Sequence, residues 1–225
     1  VIQKQTEDIT IRVFGFEDKA DLYREISEVA ADALAYFQEN IGPYPFAQLD
    51  IVIDSLGMEY PGIVTAYSIY DSGPVSPDFL KSMVVHEIAH QWFYGVISND
   101  PYHNGWLDEG MSTFAASLYQ YSSTGEEVNY KLINQLIEQL DPMPVNLPIS
   151  QYGNNMSSYI YGKPSTMLWN LFEERGGIEG AEKFLKSYYE YYQYKEVDSE
   201  EFVRFAKYHF DLEDNEVFED WLLLK

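Results

Sequence analysis

The chain has 225 residues, a formal charge of −23 at pH 7 and no cysteine. The negative charge argues against nucleic acid as a partner, because phosphates would be repelled. The missing cysteine excludes disulfides and thiolate metal ligands. Apolar residues make up 46% of the chain, which excludes a disordered protein, and no apolar run approaches the roughly 20 residues that span a bilayer. We therefore expect one large folded domain or two small lobes, with no membrane contact from this segment.

The first half of the chain predicts strands around a long helix. Alternating residues indicate a strand at Ile9–Val13, and apolar residues at helical spacing indicate a helix from Asp18 to Asn40. Leu49–Ile53 and Ile63–Tyr70 are rich in β-branched and aromatic residues, which favour strands. We expect these strands to form a small sheet.

The rest of the chain is predicted to be mostly helical. Apolar spacing indicates a helix from Asp78, as its capping residue, to Tyr94, and a second helix from Trp106 to Tyr121. From Gly125 onward helices dominate. They are interrupted by a proline-rich loop and by the pair Gly176-Gly177.

Two histidines and a glutamate form the pattern His86-Glu87-Ile88-Ala89-His90 on the first of these helices. Residues four apart lie about 40° apart around a helix, so both imidazoles project from one face and can hold one ion. Glu87 is turned about 100° away, within reach of a water at the metal. Glu109 follows after 18 intervening residues. It would complete the two-histidine, one-glutamate ligand set of a catalytic zinc site.

This pattern predicts one Zn²⁺ ion and the hydrolysis of peptide bonds. Zinc lowers the pKa of bound water toward about 7. Glu87 would accept the proton of that water and pass it to the departing amine. The attacked carbonyl develops negative charge, which a protonated tyrosine can stabilise with a hydrogen bond. The alternative is a pair of core histidines bonded to neighbouring carboxylates.

Two segments match a known family in residues and in spacing. His86–Phe93 corresponds to a zinc-binding helix, and Trp106–Gly110 corresponds to the segment that bears the third ligand. The chain thereby resembles the M1 metallopeptidases, the gluzincin aminopeptidases related to aminopeptidase N and leukotriene A4 hydrolase. The likeness covers nearly the whole chain.

Two further segments resemble the family's motifs with departures. Tyr161-Gly162-Lys163 is similar to the Y-x-K-G element, with Pro164 in place of the glycine. Residues 56–60 are similar to the G-x-M-E-N signature, with Leu56 for its glycine and Tyr60 for its asparagine. Both elements lie outside the zinc-ligand segments and carry the family's substrate-binding groups.

The resemblance implies a thermolysin-like α+β domain, mainly helical, with a small sheet beside the zinc helix. This catalytic domain would cover residues 17–225, with an α/β lobe to about residue 122 and a helical lobe after it. Residues 1–16 would be the end of a preceding β domain. Family members usually carry that domain and a helical domain after the catalytic one, so we expect other domains of a longer chain as partners.

The resemblance also implies roles for residues outside the ligand set. Tyr161 would polarise the scissile carbonyl. Glu59, with Gly57 and Met58, would bind the free amino terminus of the substrate, because an ammonium group needs an anionic acceptor. A strand near Ile63–Tyr70, if at a sheet edge, would pair with an extended peptide. Ordinary packing of Tyr161 and a solvent-exposed Glu59 are the alternatives.

The predicted function is zinc-dependent removal of amino-terminal residues from peptides. Two alternatives stay open: a zinc endopeptidase of similar architecture, and a catalytically silent peptide-binding relative. Glu87 argues against the silent relative, because a structural zinc site needs no general base. A cytoplasmic and an exported location are equally compatible with the sequence.

Overall fold

The computed structural model describes residues 1–16, 19–53, 57–66, 76–135 and 137–224. The chain divides into two units, Val1–Gly95 and Val96–Lys225. The first contains a sheet with two helices, and the second is helical. The predicted mainly helical α+β class is therefore confirmed. Within the described ranges, no helix is both long enough and apolar enough to cross a membrane.

Among its described residues, the first unit has five strands, which form one mixed sheet. They are β1 (Ile2–Gln5), β2 (Thr10–Phe14), β3 (Gln48–Ile53), β4 (Met58–Tyr60) and β5 (Ile63–Ala66). Their order is β1-β2-β3-β5-β4, with parallel pairing from β2 through β3 to β5 and antiparallel pairing of the two outer strands. The strands predicted near β2 and β3 are confirmed. The strand predicted from Ile63 is confirmed as far as Ala66, and residues 67–70 lie outside the described ranges.

The sheet, as far as the structure describes it, has β1 at one edge and β4 at the other. β5 lies inside, paired with β3 on one side and β4 on the other. The condition for peptide pairing at the strand from Ile63, a position at a sheet edge, is therefore not met by β5. The chain turns back at Gly62, whose φ of +76° favours glycine, and this turn adds β4 outside β5. The edge next to β5 is thus formed by the strand that carries Glu59.

The described part of the first unit also contains the helices α1 (Ala20–Asn40) and α2 (Pro77–Ala89). They contact each other and the sheet through buried apolar side chains. The start of α2 differs from the prediction, because Ser76 caps it by accepting a hydrogen bond from the Phe79 amide at 3.1 Å. Pro77 then occupies the first helical position, where its missing N–H costs nothing. The helix ends at Ala89, which places His90 at its C-cap.

In residues 96–135 and 137–224, the second unit packs six helices around an aromatic core. They are α3 (Glu109–Thr124), α4 (Tyr130–Gln135), α5 (Lys163–Glu173), α6 (Gly177–Tyr192), α7 (Ser199–Phe210) and α8 (Glu216–Glu219). The helix predicted from Trp106 is a 3₁₀ turn, Gly105–Leu107, followed by α3. A 3₁₀ segment, Ile149–Asn155, and a π-helical turn, Ser158–Gly162, precede α5. Phe114, Trp169, Phe172, Phe184 and Phe202 are buried at the centre.

Candidate metal centre

His86 and His90 lie one turn apart at the end of α2, with their Nε2 atoms 3.1 Å apart. Two nitrogen ligands of a tetrahedral zinc ion, each about 2.0–2.1 Å from the metal, are about 3.3 Å apart. The pair therefore already has close to the spacing of two ligands of one ion. His90 is buried and His86 is half-buried.

A backbone carbonyl sets the tautomer of His90. Its Nδ1 lies 3.3 Å from the carbonyl oxygen of Phe93. A carbonyl only accepts hydrogen bonds, so Nδ1 carries the proton and Nε2 keeps its lone pair. Hydrogen bonding of the second ring nitrogen in this way is usual for metal-binding histidines.

Glu109 is the first residue of α3 and is half-buried. The preceding 3₁₀ turn is anchored by Trp106, which is buried, donates to the Ser199 hydroxyl at 2.9 Å and packs edge-to-face on Trp221. One ligand atom each of His86, His90 and Glu109 lies within 4.8 Å of the others. The donor set of two nitrogens and one oxygen suits zinc.

Glu87 and Gly57 are in close contact. Glu87 is 5% exposed on α2, and a Cβ atom built on Gly57 would lie 2.2 Å from Glu87 Oε1. Any side chain at position 57 would therefore displace the carboxylate. The glycine at position 57 thus leaves room for the carboxylate that follows the first histidine.

Met58 and Glu59 follow Gly57 on β4 and are both half-buried. Met58 is paired with Thr65 and Glu59 with Val64. Successive side chains of a strand point to opposite faces, so the Met58 and Glu59 side chains lie on opposite faces of the sheet. Tyr60 ends the strand and is exposed, and Leu56 of the same predicted element lies outside the described residues.

Tyr161 lies in the π-helical turn and is half-buried against Tyr152, Tyr159 and Ile160. The Lys163 amide closes the turn by donating to the Ser158 carbonyl, five residues earlier. Pro164 has no N–H and cannot make the α-helical bond to Ile160. A wider turn accommodates its ring. Single π-turns of this kind are frequent at functional sites.

The turn that carries Tyr161 packs against the start of α3. A Cβ atom built on Gly110 would lie 2.7 Å from Pro164 Cγ and 3.1 Å from the Ile160 carbonyl oxygen. Gly110 directly follows Glu109, so this contact places the Tyr161 turn beside the helix end that bears Glu109. The proline at position 164 is therefore accommodated by a glycine on the facing helix.

The sequence profile of the Peptidase family M1 domain matches residues 26–221. The chain belongs to the M1 peptidase family. It is 27% identical over 211 residues to leukotriene A-4 hydrolase of Xenopus laevis, covering 84% of this chain and 34% of that protein. It is 25% identical over 225 residues to aminopeptidase M1 of Arabidopsis thaliana, covering 89% of this chain and 25% of that protein. The chain thus spans about a quarter to a third of these relatives.

Solved M1 structures share the fold. Yeast leukotriene A4 hydrolase superimposes with a TM-score of 0.72 at 17% identity, covering 97% of this chain and 37% of that one. A mutant of the M1 zinc metallopeptidase of Deinococcus radiodurans, bound to a Tyr-Ser-Ala substrate, superimposes with a TM-score of 0.70 at 19% identity. That alignment covers 100% of this chain and 52% of the other.

Gln91 of this M1 domain has a role that sequence reasoning missed. It is fully buried, its Oε1 accepts from the Gly62 amide at 2.7 Å, and its Nε2 donates to the Tyr60 carbonyl at 3.1 Å. Gln91 thereby ties the end of α2 to the turn between β4 and β5. The signal in the sequence was a polar amide side chain at position 91, directly before the apolar pair Trp92-Phe93.

Proposed function

We propose that this M1 domain is a zinc-dependent aminopeptidase that cleaves the first peptide bond of its substrates. The observation that carries the proposal is the grouping of His86, His90 and Glu109, with the buried Glu87 next to His86 on α2. These three residues would hold one zinc ion. When bound, zinc supplies a Lewis acid that activates water and polarises the scissile carbonyl.

Glu87 is proposed as the general base and acid. Its carboxylate would accept a proton from the attacking water and deliver that proton to the departing amine. Because Glu87 is buried and its carboxylate occupies the space above Gly57, the carboxylate has little freedom to move away from this task. A fixed base in a dry site is more effective than a solvated one.

Tyr161 is proposed as the hydrogen-bond donor to the carbonyl oxygen. A phenol with a pKa near 10 keeps its proton at neutral pH and can donate to developing negative charge. The support is the position of its turn against Gly110, next to Glu109. A cavity of about 240 Å³ lined by Thr113, Gly162 and Trp169, among others, opens beside the same turn.

Glu59 is proposed as the acceptor for the free amino terminus. It lies on β4, whose edge can pair with the backbone of an extended peptide. Strand pairing would hold the peptide backbone in an extended conformation along β4. A carboxylate that binds the ammonium group would fix the amino terminus, so that only one residue precedes the cleaved bond. The names of relatives support peptide substrates, since several are aminopeptidases and the Deinococcus enzyme was crystallised with a tripeptide.

The test compares a free tripeptide with its N-acetylated form, using zinc-loaded protein and the Glu87→Gln variant. We expect turnover of the free peptide alone, and loss of about 1,000-fold in the variant while zinc stays bound. Equal turnover of both peptides would contradict an aminopeptidase and favour an endopeptidase. Stoichiometric zinc without turnover of either peptide would contradict catalysis by this domain.

A further inference from the structure

A buried lysine lies two residues after Tyr161. Lys163 is 6% exposed, and its Nζ donates to the Met143 carbonyl at 2.6 Å. Nζ also lies 5.9 Å from the centre of the Tyr159 ring. Burial lowers the pKa of Lys163, and the negative charge of Asp220 opposes this shift. Lysine is rarely buried because removing an ammonium group from water costs free energy. The hydrogen bond from Lys163 to the Met143 carbonyl offsets part of this cost.

Met143 belongs to a proline loop, residues 141–147, that binds the segment around Tyr161 at three points. The Tyr159 hydroxyl donates to the Asp141 carbonyl at 3.0 Å, and the Tyr152 hydroxyl donates to the Pro144 carbonyl at 2.7 Å. Lys163 binds the Met143 carbonyl, which lies between these two carbonyls in the sequence. The segment 152–163 therefore holds three carbonyls of one loop through side-chain donors.

The proline loop is also anchored on its other side. The Val145 amide donates to the Trp221 carbonyl at 2.8 Å. The Asn146 side chain exchanges two hydrogen bonds with the backbone of Leu223, at 2.9 and 2.8 Å. These bonds hold the proline loop in place from this side. A hydrogen bond from Lys163 to the loop therefore restrains Lys163.

Tyr159 and Lys163 are four residues apart and lie on one face of the turn, where both bind the loop. Tyr161 is two residues from each and lies on a different side. Restraints on Tyr159 and Lys163 therefore set the rotation of the turn about its axis. This rotation sets the direction in which the Tyr161 side chain points.

We propose that Lys163 is a positioning residue, whose hydrogen bond to the Met143 carbonyl fixes the π-helical turn and thereby the Tyr161 hydroxyl. The inference rests on the proposed function in assigning a catalytic role to Tyr161. A misplacement of 1 Å is enough to lower a rate by about 100-fold, so a small rotation of this turn would be felt in catalysis.

The first measurement is amide hydrogen exchange on the full chain with Lys163→Met, read by mass spectrometry. We expect peptides covering 141–147 and 157–164 to exchange about tenfold faster, with α7 unchanged. Lys183→Met, at an exposed position on α6, is the matched control. Lys163→Gln is measured in parallel, so that a folded variant without the ammonium group is available. Unchanged exchange in both Lys163 variants overturns the proposal.

The second measurement is a double-mutant cycle with Tyr161→Phe. Lys163→Met should lower kcat about 10- to 100-fold with KM changed less than about twofold, and should cause no further loss when Tyr161 is already Phe. A full, additive loss in the Tyr161→Phe background would show that Lys163 does not act through Tyr161. An inactive wild-type chain would refute the proposed function, and hydrogen exchange would still decide whether Lys163 fixes the turn.

Discussion

The end of α2 and the π-helical turn before α5 carry proposed catalytic groups on differently built backbones. In α2, His86 and Glu87 are placed by regular helical spacing, and His90 follows at the C-cap. In the turn, Tyr161 is placed by the ring of Pro164, by the close approach of Gly110 and by bonds to the proline loop. The first arrangement is local in sequence, and the second depends in addition on residues far away in the chain, on Gly110 and on the proline loop.

This difference has a consequence for substitutions. Changes of side chain near α2 should alter the chemistry and leave the fold intact, because the helix does not depend on its catalytic groups. Changes around the turn should alter stability and activity together, because the same contacts that pack the second unit also aim Tyr161. The following predictions test that contrast from the largest expected effect to the smallest.

Tyr161→Phe should lower kcat by about 100-fold, because it removes one donor to the developing oxyanion while the ring is retained. Steady-state kinetics on a free tripeptide measure the effect. Tyr208→Phe, at a residue 85% exposed on α7, is the matched control and should leave kcat unchanged. A Tyr161→Phe variant with wild-type kcat would remove Tyr161 from the mechanism.

Gly57→Ala should lower kcat by about 10- to 100-fold, because the new methyl group would displace the Glu87 carboxylate. Zinc content, measured by atomic absorption, should stay at one ion per chain, since position 57 is not a ligand. Loss of zinc together with activity would show that the damage extends beyond Glu87.

Glu59→Gln should lower kcat/KM for free peptides by about tenfold, because a charge-assisted hydrogen bond to the ammonium group becomes a neutral one. N-acetylated peptides, which have no ammonium group, should stay uncleaved in the variant as in the wild type. A wild-type kcat/KM for free peptides would remove Glu59 from binding of the amino terminus.

Tyr152→Phe should lower the free energy of unfolding by about 1 kcal/mol, because its hydroxyl donates to Pro144 and accepts from the Leu147 amide. Urea unfolding measures the effect, with the exposed Tyr208→Phe as control. A wild-type unfolding free energy would mean that these bonds do not hold the proline loop.

The same residue predicts a pH dependence of stability. Burial raises the pKa of Tyr152 to about 12. The neutral phenol is therefore favoured in the folded state, and its contribution is complete below about pH 10 and is lost as the pH rises toward 12. The fall in unfolding free energy over this range should be shallower in Tyr152→Phe. An unchanged slope would contradict the raised pKa.

Sequence reasoning was most successful where geometry is local. The helical spacing of His86 and His90 and the position of Glu109 on a second helix follow from short-range rules. The cap of α2 was misplaced because Ser76 and Asp78 are both good capping residues, and Pro77 at the first helical position decides for Ser76.

Sequence reasoning failed where pairing or packing is non-local. The strand order that puts β4 outside β5 depends on which strands meet in space, which the alternation of Ile63–Ala66 does not reveal. The burial of Lys163 depends on the proline loop, 20 residues earlier in the chain. The roles proposed for Glu87, Tyr161 and Glu59 stay predictions until the variants are measured.

The most direct test is a time course of one decapeptide digested by zinc-loaded protein, with products identified by mass spectrometry. The account predicts stepwise loss of single amino-terminal residues, with no internal fragments and no cleavage of the N-acetylated decapeptide. Internal fragments would identify an endopeptidase, and an intact decapeptide in the presence of one bound zinc ion per chain would contradict catalysis by this domain.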